Sequence, residues 1–395
     1  MLRLIVQAAA LLLVARLLGP EDFGAFAGIS ALAVMFGAFS TFGTHFVLLG
    51  QVAKDPGQRE SVLAYALPIT MILGALLLAV FLLACGLLFS SRGIPLELLV
   101  AIGLAEVLLQ PFFSLLVSEH LALGRTAYSQ LLATLPLLLR LIAVIMVVFW
   151  NLPKPLTAYA CGYLLASVAS LSFAFKYSSQ AWPRLSSWRL PTRKELIHAA
   201  GYAAQSVTSF APSEVDKVLA VKLLPVSSAG LYSVSARIVS AVTLPVIALM
   251  LSALPRLFRE GVSQGGGGLV RWIFSITITY GLVLAATLWI AAPLFVLLLG
   301  GEYAGVERMI ICLCYAVPGI AMHVAVSSVL MTLGVPWLRF GFEVLGMGLL
   351  AIFSVYLIPR FGDSGMPLAL ACSEWLMATL GVGLVIRARQ RLASS

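Results

Sequence analysis

The chain has 395 residues, of which 61% are hydrophobic and only 10% carry a charged side chain. A soluble domain carries roughly 25% charged residues, so this composition excludes a soluble enzyme, and its richness in apolar residues excludes a disordered chain. The five cysteines lie in or beside apolar runs, which predicts small buried side chains and excludes a secreted disulfide scaffold. A polytopic membrane protein remains.

Twelve apolar runs are long enough to form helices that cross a bilayer, since each crossing needs about 20 residues. In chain order the runs are 2–18, 24–49, 62–90, 95–121, 128–150, 156–176, 197–223, 229–254, 270–299, 304–331, 338–358 and 364–386. None of them alternates apolar and polar residues as the strands of an outer-membrane barrel do. The predicted fold is therefore an all-α polytopic membrane protein with about 12 transmembrane helices.

The positions of Lys and Arg predict the orientation, because cytoplasmic loops retain basic residues. With the N-terminus inside, sixteen of the 25 basic residues fall in inner segments and six in outer segments. We therefore predict a multi-pass protein of the bacterial inner (cytoplasmic) membrane with both termini in the cytoplasm. The net charge of +9 then reflects this topology and attraction to anionic lipids, and no nucleic-acid partner is expected.

A polar and basic stretch divides the predicted helices six and six. We predict an N-terminal six-helix bundle at 1–176, a cytoplasmic basic linker at 177–196, a C-terminal six-helix bundle at 197–388 and a cytoplasmic tail at 389–395. Because six is even, both bundles enter the membrane in the same direction, as parallel repeats do. Transporters built in this way bind substrate between their halves and alternate access by rocking one half against the other.

Short echoes between the halves favour such a parallel pseudo-repeat. A basic residue at the end of the first run and one at the end of the seventh each precede a glycine by eight positions, Arg16 before Gly24 and Lys222 before Gly230. A Leu-Gly pair follows the fourth run at 123–124 and the tenth run at 333–334.

Four motifs spread over most of the chain resemble those of a known family. They are Ala15–Gly24, Glu214–Leu219 with Ala229–Ser233, Leu299–Tyr303 and Leu357–Gly365. On these motifs the chain resembles bacterial polysaccharide biosynthesis membrane proteins. These are the O-antigen-type oligosaccharide flippases of the multidrug/oligosaccharidyl-lipid/polysaccharide (MOP) exporter superfamily, whose fold is MATE-like.

The resemblance implies a function and a set of partners. It implies a flippase that moves a polyprenyl-diphosphate-linked oligosaccharide, a precursor of cell-surface polysaccharide, across the inner membrane by alternating access. The implied partners are that lipid-linked sugar, membrane lipids and the polysaccharide polymerase or ligase machinery. A sugar head with a diphosphate cannot cross hydrocarbon unaided, so a polar cavity lined by cations would suit this cargo.

Basic residues inside the apolar runs are the first candidates for the site, because charges are costly in hydrocarbon. Arg140 lies near the middle of the fifth run. Its guanidinium either binds the diphosphate or a sugar acid from a central cavity, or pairs with a carboxylate of another helix. The same two alternatives apply to Arg237. Lys217 either lines the cavity or snorkels outward, and Arg16 either contacts the exiting headgroup or anchors the helix at the interface.

Carboxylates complete the candidate set, at Asp216, Glu106 and Glu374. Adjacent positions point about 100° apart on a helix, so one arrangement pairs Asp216 with Arg237 while Lys217 faces the cavity. Glu106 and Glu374 are either proton-coupling groups or hydrogen-bonded packing contacts. Glu343 is predicted to be solvated near the inner face.

The sequence contains no catalytic or metal-binding pattern. The four histidines are scattered, and we predict His45 and His323 to be satisfied core residues. The glycine run 265–268 lacks the Lys of a phosphate-binding loop and predicts a flexible inner linker. We therefore expect a protein that is not an enzyme and that holds neither a cofactor nor a metal.

The sequence disfavours two alternatives to this flippase and leaves a third open. A MATE-like drug antiporter would carry a carboxylate in its first helix, where this chain has Gln7 as its midspan polar residue. A membrane glycosyltransferase or ligase acting on lipid-linked sugar would need a large outer loop rich in acidic or Arg and His residues, whereas every predicted outer loop is short. A lipid II flippase usually has two further helices.

Overall fold

A computed structural model describes residues 2–89, 93–177, 182–210, 212–260, 266–332 and 336–394. Within these ranges all regular secondary structure is helical, which confirms the predicted all-α class. Eight helical stretches among the described residues are long and apolar enough to cross a membrane, or nine if one bent pair counts as a single span.

The chain divides into two compact units, Met1–Val218 and Leu219–Ser395. The helices of the first unit are α1 (Leu2–Ser40), α2 (Thr44–Lys54), α3 (Arg59–Phe89), α4 (Leu96–Gly103), α5 (Gln110–Ala122), α6 (Thr126–Phe149), α7 (Pro155–Lys176), α8 (Arg193–Phe210) and most of α9 (Pro212–Leu223). Those of the second unit are α10 (Val226–Glu260), α11 (Gly266–Leu299), α12 (Val306–Cys314), α13 (Val317–Thr332), α14 (Pro336–Phe361) and α15 (Gly365–Ser394).

Helices in the described residues cover each of the predicted apolar runs, but several runs are broken. The first two runs share α1, which is interrupted at Gly19, where φ is 70°. A non-glycine residue is strained at such a φ, so a glycine suits this corner. The tenth run is divided into α12 and α13, which are bent by 50°. The number of membrane crossings stays a prediction.

The units differ from the predicted bundles in where they divide. The contact boundary follows Val218, whereas the predicted linker is 177–196, because α8 packs against α1 and α2 of the first unit. The predicted domain boundaries stay a prediction. The echo at 333–334 and the start of the predicted glycine linker, Gly265, lie outside the described residues, and α11 already begins at Gly266.

The segment before α8 is attached to α3 through a carbonyl group that a proline leaves free. A proline inside a helix has no N–H, so the carbonyl four residues earlier loses its helical donor. In α3 the proline is Pro68, and the carbonyl group is that of Ala64. The backbone N–H of Arg189 donates to this oxygen at 3.0 Å. The proline therefore provides the attachment point for the linker.

Side chains of the linker reinforce this attachment. Arg189 donates two hydrogen bonds to the carboxylate of Glu195, at 2.6 and 2.8 Å, and its guanidinium carbon lies 5.0 Å from the ring centre of Tyr65. Glu195 also accepts from the backbone N–H of Thr192 at 2.7 Å, as in a capping box at the start of α8. The hydrogen bonds from Arg189 hold the pKa of Glu195 at about 2, so this group is a carboxylate at neutral pH.

Candidate functional site

Glu106 lies on a π-helical turn, Leu104–Leu109, between α4 and α5. Such turns widen the helix and are frequent at functional sites. The turn ends beside Pro111, which cannot donate to the carbonyl of Val107. The hydroxyl of Ser40, at the end of α1, donates to that oxygen at 2.8 Å and so replaces the missing helical bond.

Near its end, α1 packs so closely against this turn that the backbones of the two segments are in contact. A Cβ atom on Gly37 would lie 2.4 Å from the carbonyl oxygen of Glu106, closer than real contacts allow. Only a glycine therefore fits at position 37 without a shift of the backbone. Together with the Ser40 hydrogen bond, this contact fixes the helix that carries Glu106.

Replacing Ser40 with Ala is expected to destabilise the protein by about 1–3 kcal/mol, because the carbonyl of Val107 would then be buried without a donor. Ser170→Ala is the matched control. The buried hydroxyl of Ser170 donates to Ala166 of its own helix, whose carbonyl keeps its backbone donor. Melting of the detergent-solubilised variants measures the difference, and equal shifts for both would contradict the role of Ser40.

Arg140 of α6 forms a buried ion pair with Glu106. Its Nη2 lies 2.8 Å from Oε1 of Glu106, and the two side chains are only 14% and 7% exposed. The hydroxyl of Tyr163 on α7 donates to the same carboxylate oxygen at 2.5 Å. The guanidinium carbon lies 3.7 Å from the ring centre of Tyr163, which is a cation–π contact. Three neighbouring helical segments thus meet at one charge pair.

The surroundings of this pair leave the Nε donor of the guanidinium unused. Nη2 of Arg140 also reaches Oγ of Ser167 at 3.3 Å, whereas its Nε is buried and has no hydrogen-bond acceptor among the described residues. Phe26 and Tyr159 pack edge-on against one another and against Tyr163 on the same side. A buried donor without an acceptor is costly, so this site favours an additional acceptor group.

A second cluster of charged groups lies in the second unit. Nδ1 of His323 on α13 lies 2.7 Å from Oε2 of Glu374 on α15, and its Nε2 lies 3.3 Å from Oε2 of Glu343 on α14. Ser327, one turn after His323, donates to Glu343 at 2.5 Å. Nε of Arg339 donates to the hydroxyl of Ser327 at 3.1 Å. An imidazole therefore connects carboxylates from two other helices.

The structure corrects the expectation for Glu343. The sequence prediction placed this residue in solvent near the inner face, but it is only 5% exposed. It is buried because α13, α14 and α15 pack around it. The side chain of His323 is only 11% exposed, as predicted for a core residue, and its Nδ1 is hydrogen-bonded to Glu374, whereas its Nε2 contacts Glu343 without a hydrogen bond among the described residues. His45 is satisfied by the hydroxyl of Thr41 at 2.8 Å.

The remaining candidates are not brought into these two clusters. Lys217 is buried on α9, where its Nζ contacts the carbonyl of Ser213, Oδ1 of Asp216 at 3.2 Å and Oε2 of Glu214 at 3.5 Å. Adjacent positions on a helix point apart, but the long side chain of Lys217 folds back along α9 and reaches Asp216. Arg237 is half-buried on α10.

Two further candidate assignments stay predictions. Arg16 is exposed beside the break in α1. Asp216 belongs to the first unit and Arg237 to the second, and their predicted pairing also stays a prediction.

The sequence analysis did not identify four groups in these clusters, Tyr163, Ser167, Ser327 and Arg339, and one further pair. Tyr163, Ser167 and Ser327 carry no charge, so a search for charged residues does not distinguish them, and Arg339 lies in a predicted inner segment. Arg59 also lies in a predicted inner segment, but its Nε lies 2.8 Å from Oε1 of Glu119 in a fully buried ion pair. No group of three or more His, Cys, Asp or Glu among the described residues has the geometry to hold a metal ion.

A family model described as polysaccharide biosynthesis protein matches residues 1–260. The chain belongs to this family. The match covers about two thirds of the chain and includes the whole Glu106–Arg140–Tyr163 cluster. It confirms the resemblance that was drawn from the four sequence motifs. No curated protein matches the chain in sequence.

Solved structures of MOP superfamily transporters share the fold. An inward-facing multidrug resistance MATE family transporter has a TM-score of 0.80 at 16% identity, with 99% of this chain and 95% of that chain covered. The lipid II flippase MurJ has a TM-score of 0.77 at 11% identity, with coverage of 98% and 88%. A MOP superfamily transporter from Pyrococcus furiosus has a TM-score of 0.65 at 16% identity, with coverage of 99% and 92%. These likenesses confirm the predicted MATE-like fold, and the protein is a multi-pass membrane protein.

Proposed function

We propose that this protein is a flippase that translocates a polyprenyl-diphosphate-linked oligosaccharide across the bacterial inner membrane by alternating access. Membership of the polysaccharide biosynthesis family and the MOP fold support a transporter of this type. Both termini would lie in the cytoplasm, and the product would be passed to polymerase or ligase machinery on the other side. Catalysis by this chain is not part of the proposal.

The observation that carries the proposal is the buried guanidinium of Arg140. It lies within the part of the chain that matches the family, and its Nε is an unused donor in a site that is nearly closed to water. Guanidinium groups bind phosphate through paired N–H groups in a fixed fork. A diphosphate would supply the missing acceptor, and the pair with Glu106 would keep the cation tolerable while no substrate is bound.

The other predicted cations are proposed as secondary substrate contacts. Arg237 and Arg16 are proposed to meet the diphosphate or acidic sugars along the path. Lys217 would join them only after leaving Asp216 and Glu214, which now hold its ammonium group. These contacts would be weaker in effect than that of Arg140.

Proton coupling is proposed to reside in the His323–Glu343–Glu374 cluster. An imidazole in contact with carboxylates from two other helices offers three positions for a mobile proton. The charge of the cluster would then change during the transport cycle. Glu106 has Arg140 as a permanent counter-ion and is proposed to have a structural role.

Reconstitution tests the proposed function directly. Vesicles that contain the purified protein and a fluorescent polyprenyl-diphosphate oligosaccharide are expected to expose the sugar on the opposite leaflet, where an impermeant glycosidase removes it. Vesicles without protein serve as one control. The other control is vesicles that contain the protein with lipid II in place of the fluorescent oligosaccharide. Efflux of a cationic drug without movement of the oligosaccharide would contradict the proposal and favour the antiporter alternative.

A further inference from the structure

The guanidinium of Arg140 holds two acceptors through a single nitrogen. Its Nη2 donates to Oε1 of Glu106 at 2.8 Å and to Oγ of Ser167 at 3.3 Å. The side chain of Arg140 is 14% exposed, and Ser167 is buried. In this state the guanidinium is therefore occupied at Nη2, whereas its Nε has no acceptor among the described residues.

This occupancy conflicts with the way in which a guanidinium binds a phosphate group. Paired binding uses two neighbouring N–H groups, either those of Nη1 and Nη2 or those of Nη2 and Nε. Nη2 belongs to both pairs, and it carries two N–H groups that already have two acceptors. Paired binding of a phosphate by Arg140 therefore requires that Nη2 release either Glu106 or Ser167.

Ser167 is the weaker of the two acceptors. Its oxygen is uncharged and lies farther from Nη2 than the carboxylate oxygen does, and hydrogen bonds between two charged groups are the stronger kind. Glu106 is also held by the hydroxyl of Tyr163. The hydroxyl of Ser167 donates to the carbonyl of Tyr163 at 3.1 Å, and this bond remains when Arg140 leaves. Release of Ser167 therefore costs less than release of Glu106.

We propose that Ser167 holds the guanidinium of Arg140 while the site is empty, and that Arg140 releases this hydroxyl when it binds the diphosphate of the substrate. The inference rests on the proposed function, because it takes Arg140 as the diphosphate contact. Tyr163 keeps its hydroxyl on Glu106 and its ring centre 3.7 Å from the guanidinium carbon. Ser167 is thus a positioning residue that lowers the affinity of the site, because its hydroxyl competes with the substrate for Nη2.

Calorimetric titration of the full-length protein in detergent tests the proposal, with farnesyl diphosphate as the probe. Ser167→Ala is expected to bind this probe roughly three- to tenfold more tightly than the unmodified protein, because no hydroxyl competes for Nη2. Ser167→Thr keeps a hydroxyl and is expected to retain the original affinity. Titration with farnesol, which lacks the diphosphate, is expected to give the same result for every variant.

Ser170→Ala is the matched control for Ser167→Ala. The hydroxyl of Ser170 is also buried on α7 and donates to the carbonyl of Ala166 in the same way, but it does not contact Arg140. A melting curve of each variant separates the two possible roles of Ser167. Loss of packing would lower the melting temperature and weaken binding together, whereas loss of a competing bond lowers the melting temperature and tightens binding.

The outcomes separate this inference from the proposed function. Unchanged or weaker binding by Ser167→Ala, with binding lost in Arg140→Met/Glu106→Gln, would contradict the inference alone. Equal tightening by Ser170→Ala would also contradict it, because the effect would then be a general loosening of α7. Equal binding by the unmodified protein and the Arg140→Met/Glu106→Gln variant would contradict the proposed role of Arg140 and the inference with it.

Discussion

Replacing Arg140 with Ala is expected to abolish export of surface polymer in cells that depend on this protein. The substitution removes the proposed diphosphate contact and leaves Glu106 buried without its ion-pair partner. Breaking a buried pair in this way costs about 3–5 kcal/mol, so the amount of protein in the membrane must be measured alongside export. Arg140→Lys keeps the charge without the guanidinium fork and is expected to retain part of the export.

A charge-neutral double variant separates binding from structure. Arg140→Met/Glu106→Gln removes both charges and keeps the approximate side-chain volumes. It also keeps a side-chain oxygen at position 106 that can accept the hydrogen bond from the hydroxyl of Tyr163. If Arg140 serves only to neutralise Glu106, this variant recovers export. We expect it to insert normally and remain inactive, because the diphosphate would still lack its cation. Recovery of export at normal membrane levels would therefore contradict the binding role.

Replacing Glu374 with Gln is expected to flatten the pH dependence of oligosaccharide transport in vesicles. The amide keeps the shape of the side chain and a contact to His323, but it cannot exchange a proton. Transport is measured from pH 5 to 8 under an imposed proton gradient. His323→Asn is expected to have the same effect, because the imidazole joins the two carboxylates.

The control for this experiment removes a carboxylate outside the cluster. Glu302→Gln alters an exposed residue of the same unit and is expected to leave the pH profile unchanged. An unchanged profile for Glu374→Gln would remove that residue as a proton carrier. Loss of transport at every pH, with normal protein levels, would instead assign it a structural role.

Much of the fold could be predicted from the lengths of the apolar runs, because crossing a bilayer requires a minimum helix length. Arg140 was identified from sequence because a cation in the middle of an apolar run has no access to water. Its pairing with Glu106 was not identified, since it depends on how α6 approaches the π-helical turn. Pro111 was the available indication of that turn, but the proline did not reveal which donor would satisfy Val107.

The cluster around His323 shows a different limit of sequence reasoning. Helical spacing places Ser327 one turn after His323, and Glu343 one turn after Arg339, so each helix carries a polar pair on one face. That pattern was available from the sequence and favours two facing stripes. It did not show that Glu374 of a third helix completes the set, because contacts between distant helices are tertiary.

Two prolines, Pro68 and Pro111, determine how distant segments of the chain align with one another. The oxygen atoms freed by Pro68 and Pro111 each accept one outside donor, from Arg189 and Ser40 respectively. A shift of either segment by one residue would leave the carbonyl oxygen without a hydrogen-bond donor in apolar surroundings and would point the donor elsewhere. The carbonyl oxygens of Ala64 and Val107 thus help to fix the rotation and the axial position of the segments that donate to them, which apolar packing alone specifies loosely.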